Sequence, residues 1–199
     1  MHLVKIVSFS KRKSKIKFDW IDLTSNKNSF HHKTKSSIMS KNIVVYPISA
    51  NPPTFGHADI LVRASRCFEQ VYWVAAINST KQSTIAPKVQ LEMMRDYVEH
   101  FQLKNIHIEH FEGSLVRFAM SKQARFILRG IRNITDMQSE MDLATGYRGV
   151  SQEIETICFF STPGLTMVSS SLVKELARVG ENIDQYVLPS VAEILMDYL

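Results

Sequence analysis

Residues 43–77 read IVVYPISANPPTFGHADILVRASRCFEQVYWVAAI, and the fold follows from this stretch. The β-branched run 43–46 predicts a strand, and the Pro-rich segment after it predicts a loop. From 57 to 70, Ile60, Leu61, Ala64, Cys67 and Phe68 recur at helical spacing, and 71–77 is a short apolar run that predicts a buried strand. Two strands joined by a helical crossover form a parallel unit, because a tight hairpin cannot return the chain in the same direction.

The same alternation continues downstream. Pro87 suits the first turn of a helix whose inward stripe is Leu91, Met94, Val98 and Phe101. A strand follows at 106–111, a short helix at 115–122, a strand at 126–128, an amphipathic helix near 137–147 and a strand at 156–160. Helices at 170–178 and 190–199 complete the pattern. The predicted fold class is α/β, a Rossmann-like open parallel sheet with helices on both faces. No internal repeat is present.

With 45% hydrophobic and 22% charged residues, the 199-residue chain can bury a core, which excludes disorder throughout. The formal charge of +5 is unevenly placed. Residues 1–38 hold nine bases and two acids, and the remainder holds 15 bases and 17 acids, so the core is not a basic nucleic-acid-binding body. The expected organisation is a basic, disordered extension over 1–38 and one domain over 39–199, with Met39 as an alternative start. No apolar run approaches the ~20 residues of a membrane-spanning helix. Cys67 and Cys158 stand far apart, with no second thiol near either, which excludes a disulfide framework and predicts a cytoplasmic setting.

Ligands of open α/β sheets bind beyond the carboxyl ends of the strands, which singles out three segments. In Thr54-Phe55-Gly56-His57, a hydroxyl and an imidazole flank a helix start, where backbone amides already favour an anion. A capped helix would use the same residues. Arg129-Gly130-Ile131-Arg132 offers two guanidinium groups that can fork onto phosphate oxygens or form surface ion pairs. Ser169-Ser170-Ser171 precedes an amphipathic helix, where capping explains one serine and a phosphate cradle explains three. No P-loop, G-x-G-x-x-G, H-E-x-x-H or G-x-S-x-G is present, leaving positioning and charge stabilisation at phosphorus as the chemistry available. The expected site is a cationic, hydroxyl-lined pocket at the rim of the sheet.

Taken in order, these segments resemble the nucleotidyltransferase superfamily, most closely the bacterial-type phosphopantetheine adenylyltransferases. The resemblance covers residues 42–199. It rests on Thr54-Phe55-Gly56-His57 for T-x-G-H, Arg129-Gly130-Ile131-Arg132 for R-G-x-R, Glu140-Met141-Asp142-Leu143-Ala144 for E-M-x-L-A and Ser169 through Glu175 for S-S-S-x-x-K-E. It implies direct transfer of an adenylyl group from ATP, carried with Mg²⁺, to 4′-phosphopantetheine. By the same resemblance His57, Lys81 and Arg129 are the catalytic residues: His57 stabilises the transition state and also binds ATP, and Lys81 and Arg129 also bind the substrate. Gly130, Ile131, Arg132 and Glu140 bind ATP, as do Thr54, Ala50 and the segment Leu165, Thr166, Met167, Val168, Ser169, Ser170 and Ser171. Ser49 touches both substrates, and Leu115 contacts pantetheine. Feedback binding of coenzyme A and a homohexamer are also implied.

Several positions depart from the family pattern. Ile48 replaces a glycine, Ala50 a phenylalanine, Leu165 a tryptophan and Ser139 a tyrosine, which predicts a weaker grip on ATP or a different acceptor. The competing readings are an adenylyltransferase acting on nicotinate mononucleotide and a catalytically weak nucleotide-binding module. Lys174 and Thr54 argue against the former, and retention of the motif residues argues against the latter.

Overall fold

The computed structural model describes residues 3–9 and 16–22 as backbone, and residues 42–76 and 85–199 in full. Lys81, Met39 and most of the basic extension lie outside the described residues. The chain divides into two units, Met1–Ser40 and Lys41–Leu199. In the first, Leu3–Phe9 (β1) and Ile16–Asp22 (β2) pair antiparallel, with Leu3 opposite Asp22 and Phe9 opposite Ile16. Both strands fall within the extension that the sequence sets apart from the domain. Val4, Ile6 and Val7 in one, and Phe18, Trp20 and Ile21 in the other, carry strand preference that the dense surrounding charge conceals.

The second unit is built on five parallel strands: Ile43–Ile48 (β3), Gln70–Ala76 (β4), Ile106–Phe111 (β5), Phe126–Ile131 (β6) and Glu155–Phe160 (β7). Their order is β5-β4-β3-β6-β7. Helices Phe55–Cys67 (α1), Pro87–His100 (α2), Leu115–Ser121 (α3), Ile134–Val150 (α4), Ser170–Arg178 (α5) and Pro189–Tyr198 (α6) connect and follow them. Alternation along β3 separates two cores. Val44, Tyr46 and Ile48 join Trp73 with the apolar faces of α1, α2, α5 and α6, whereas Ile43 and Val45 join Val74, Ile127 and α3 on the opposite face. Helices therefore cover both faces, as the alternation predicted.

Three boundaries differ from the sequence reading in ways that matter. Helix α1 starts at Phe55, which places the whole T-x-G-H turn at its N-terminus. Strand β6 runs on to Ile131, with Arg129 opposite Cys158 and Gly130 opposite Phe159. The two residues read as a loop thus belong to the ladder with β7. Helix α4 begins at Ile134, where the Asn133 side chain accepts from the Asp136 amide at 2.8 Å. It does not show the amphipathic pattern expected near 137–147. Its one buried residue is Glu140, and Ile134, Met137 and Met141 are exposed.

The order of strands changes direction between β3 and β6. There the ladder holds only Val44 to Phe126 and Val45 to Ile127, whereas β3 and β4, like β6 and β7, pair over six positions. Beyond Val45 and Ile127 the two central strands no longer pair with each other, and the carboxyl ends of β3 and β6 flank a crevice at the topological switch point. Gly130 sits at this divide. A Cβ there would lie 2.9 Å from Ile60 Cδ1, so the missing side chain lets α1 pack closely against β6.

Candidate active site

The crevice encloses about 590 Å³. Its floor is Tyr46, Pro47 and Ile48 of β3, one wall is the first turn of α1, and the opposite wall is the end of β6 with α4. The third side is the segment Val168–Ser171. The three motifs, distant in sequence, thus meet in one place.

At the start of α1, His57 Nδ1 accepts from the Thr54 amide at 3.1 Å, and the Thr54 hydroxyl lies 2.9 Å from the same nitrogen. An amide N–H can only donate, so Nδ1 is the acceptor and the proton resides on Nε2. Burial, reinforced by the Arg132 charge, pushes the His57 pKa down to about 4. At neutral pH the ring is uncharged and presents one fixed N–H donor. The capping geometry and the site geometry are therefore the same contact: Thr54 orients the imidazole by caging one nitrogen.

Both motif arginines are paired. Arg129 Nε and one terminal nitrogen reach the two Glu140 oxygens at 2.5 and 2.6 Å, in a contact largely withdrawn from solvent. Burial works against the Arg129 charge, and the Glu140 carboxylate outweighs it, so the guanidinium stays above its ordinary value. Arg132 holds both oxygens of Asp136 at 2.8 and 3.1 Å and donates to the Val168 carbonyl at 3.3 Å. Its hydrogen bond keeps the Asp136 carboxyl below the usual range. Among the described lining residues, two arginines face two carboxylates, so these four side chains together add no net formal charge. The helix dipoles at the starts of α1 and α5 add partial positive charge, although the Thr54, Phe55 and His57 amides at α1 and the Leu172 amide at α5 already have acceptors within the protein.

The serines divide their roles. Ser169 caps α5, accepting from the Leu172 amide at 3.2 Å, and the Ser170 hydroxyl donates to the Pro52 carbonyl at 2.7 Å. Ser171 is exposed on the crevice wall. One serine thus closes the helix, one ties α5 to the first loop, and the third stays open.

Other predicted positions fall elsewhere. Ser49 lines the crevice and is exposed, but Ala50 is fully buried in the core at φ 49°, so its side chain offers no surface to a ligand. Leu115 is packed with Ile43 and Val116 in the second core and does not line the crevice. Ile131 is buried, and Leu165, Thr166 and Met167 also lie off the lining, with Met167 exposed. Tyr46, Ile60, Ala76, Asp136 and Ser161 line it without having been predicted. Only Asp136 carried a sequence signal, as an acid four residues after Arg132.

Comparison with known proteins agrees with this arrangement. Residues 45–176 match the family described as cytidylyltransferase-like. The phosphopantetheine adenylyltransferase of Synechococcus elongatus is 37% identical over 153 residues, 77% of this chain and 91% of the relative. That of Synechocystis sp. is 35% identical over 157 residues, 78% of this chain and 98% of the relative. Among solved structures, Plasmodium falciparum nicotinic acid mononucleotide adenylyltransferase complexed with NaAD superposes with a TM-score of 0.60. It is 14% identical and covers 79% of this chain and 96% of its own, a likeness of fold.

Proposed function

The chain belongs to the cytidylyltransferase-like family and, within it, to the phosphopantetheine adenylyltransferases, and on that premise we propose how its crevice works. The protein transfers the adenylyl group of ATP to 4′-phosphopantetheine, forming dephospho-coenzyme A and releasing pyrophosphate. The observation that carries this reading is 35–37% identity extending over nearly the whole length of the relatives. The likeness to the nicotinate-type enzyme is one of fold, so it does not redirect the choice of acceptor.

In this reading the acceptor phosphate attacks the α-phosphorus in line, the bond to the pyrophosphate oxygen breaks, and no covalent enzyme intermediate forms. The neutral His57 ring supports a role as donor: its Nε2–H needs no protonation change to meet charge growing on the α-phosphate oxygens. The amide-rich start of α5 and Ser171 support a cradle for the outer phosphates. Arg129 retains a terminal nitrogen not engaged by Glu140, which supports contact with the substrate phosphate. Lys81 is carried over from the resemblance alone.

Mg²⁺ enters with ATP as part of the substrate. Among the described residues no group of three His, Cys, Asp or Glu side chains gathers, and the two crevice carboxylates are held by arginines, which supports retention of the ion on nucleotide oxygens. Among the described residues no helix is long and apolar enough to cross a membrane, and we place the reaction in the cytoplasm. Assembly into a homohexamer and feedback by coenzyme A both follow from kinship; the exposed Ile134, Met137 and Met141 of α4 offer apolar surface for a contact between copies.

Pyrophosphate release is the direct test. With MgATP present it should rise on adding 4′-phosphopantetheine and stay at background with nicotinate mononucleotide. The reverse preference would assign the other acceptor, and background with both would leave a nucleotide-binding module.

A further inference from the structure

One wall of the crevice is held from outside it. The loop 161–169 leaves β7 and ends on the lining residues Val168 and Ser169. Its own backbone bonds are sparse: Leu165 to the Thr162 carbonyl at 3.0 Å and Val168 to the Leu165 carbonyl at 3.1 Å. Its first half is fastened to α1 by Asp59, two residues after His57. One Asp59 oxygen accepts the Thr162 hydroxyl at 2.8 Å and the other accepts the Thr162 amide at 3.3 Å. Arg63, one helical turn on, donates to that second oxygen at 3.0 Å and to the Phe160 carbonyl at 2.7 Å. Its guanidinium lies 5.0 Å from the centre of the Phe159 ring. None of Asp59, Arg63 and Thr162 lines the crevice.

We propose that Asp59, clamped by Arg63, is a positioning residue: by tethering Thr162 it fixes the start of α5 relative to the start of α1, and so sets affinity for the triphosphate. The proposal rests on the adenylyl-transfer reading. Two helix N-termini grip one polyphosphate only at a fixed separation, and the loop joining β7 to α5 is what sets it. The far end of the loop is already fixed by Arg132 on Val168 and by Ser170 on Pro52. The Asp59 clamp supplies the near end with charge-assisted bonds.

The test compares Asp59→Asn, Thr162→Val and the conservative Thr162→Ser. Asp59→Asn and Thr162→Val should raise KM for MgATP, and its calorimetric Kd, about five- to tenfold, less than the full contribution of one hydrogen bond to a charged acceptor because the bond acts on the site through the loop. KM for 4′-phosphopantetheine should stay within twofold. Thr162→Ser keeps the hydroxyl and should behave like the unaltered protein. The proposal is overturned if MgATP affinity stays within twofold in both Asp59→Asn and Thr162→Val, if both substrates weaken together, or if Thr162→Ser is as impaired as Thr162→Val. Thr162 is an exposed loop residue, so its variants keep the test open should Asp59→Asn not fold. An unaltered protein that binds MgATP yet makes no dephospho-coenzyme A refutes the acceptor reading instead, and the calorimetric comparison still decides the clamp.

Discussion

The Thr54 amide nitrogen lies 3.1 Å from Nδ1 of His57, and this contact determines which ring nitrogen carries the proton. With Nδ1 occupied, the imidazole turns a single donor toward the crevice, oriented before any ligand arrives. Replacing His57 with Ala removes that donor and the acceptor for the Thr54 amide, while the His57 and Ala58 amides keep their bonds to the Thr54 carbonyl. A preorganised donor of this kind is worth ~3 kcal/mol in the transition state, so kcat should fall by roughly 10² to 10³. An unchanged far-ultraviolet circular dichroism spectrum would show that the fold is kept, and an unchanged kcat would remove His57 from the mechanism.

The same ring gives the protein a pH signature. The folded pKa is about 4, below the ordinary unfolded value near 6.5. The folded state then binds fewer protons than the unfolded one between these values, and its stability rises with pH. The contribution is fully present above ~6.5 and is lost as pH falls toward ~4, with an upper limit on the order of 3 kcal/mol. Urea midpoints measured across pH 4–7 should slope upward, and His57→Gln should flatten that slope. Through pH 6–8, kcat should show no titration of His57.

Arg129 and Glu140 form a partly buried, two-point ion pair, and breaking either side leaves an unmatched charge. Arg129→Ala and Glu140→Ala should each destabilise the protein by about 3 kcal/mol, with the double variant losing less than the sum. Denaturant unfolding of the three variants measures the coupling. Simple additivity would show that the contact contributes nothing to stability.

Ile48 stands where the family carries glycine, and the sequence suggests interference with ATP. Its side chain is nevertheless buried with Tyr46 and Leu61 in the core, beneath the crevice floor that Ile48 helps to form. Ile48→Ala should therefore cost about 2–5 kcal/mol of stability while KM for ATP moves less than threefold. A large gain in ATP affinity would instead mark Ile48 as an obstruction.

The strand and helix order was legible because periodicity records burial directly: a run such as 71–77 has one way to hide its apolar residues, and the helix at 57–70 shows one apolar face. The motif residues were legible for a related reason, since a short local segment such as Thr54 to His57 builds its own geometry through the turn that contains it. The burial of Leu115 and Ala50 was not legible, because nothing local distinguishes an apolar residue in a cavity wall from one in the core. The extent of β6 was missed because Arg129 and Gly130 stay in a strand only through their pairing with β7.

By itself, the sequence determined the alternation that yields a parallel sheet and the amide-rich helix starts that suit phosphate. Tertiary structure alone decided the electrostatics. Whether a guanidinium adds net charge to a crevice depends on what folds against it, and helix α4 brings Asp136 and Glu140 onto Arg132 and Arg129. Charge pairing acts across space over a few ångströms, and separation along the chain does not record it.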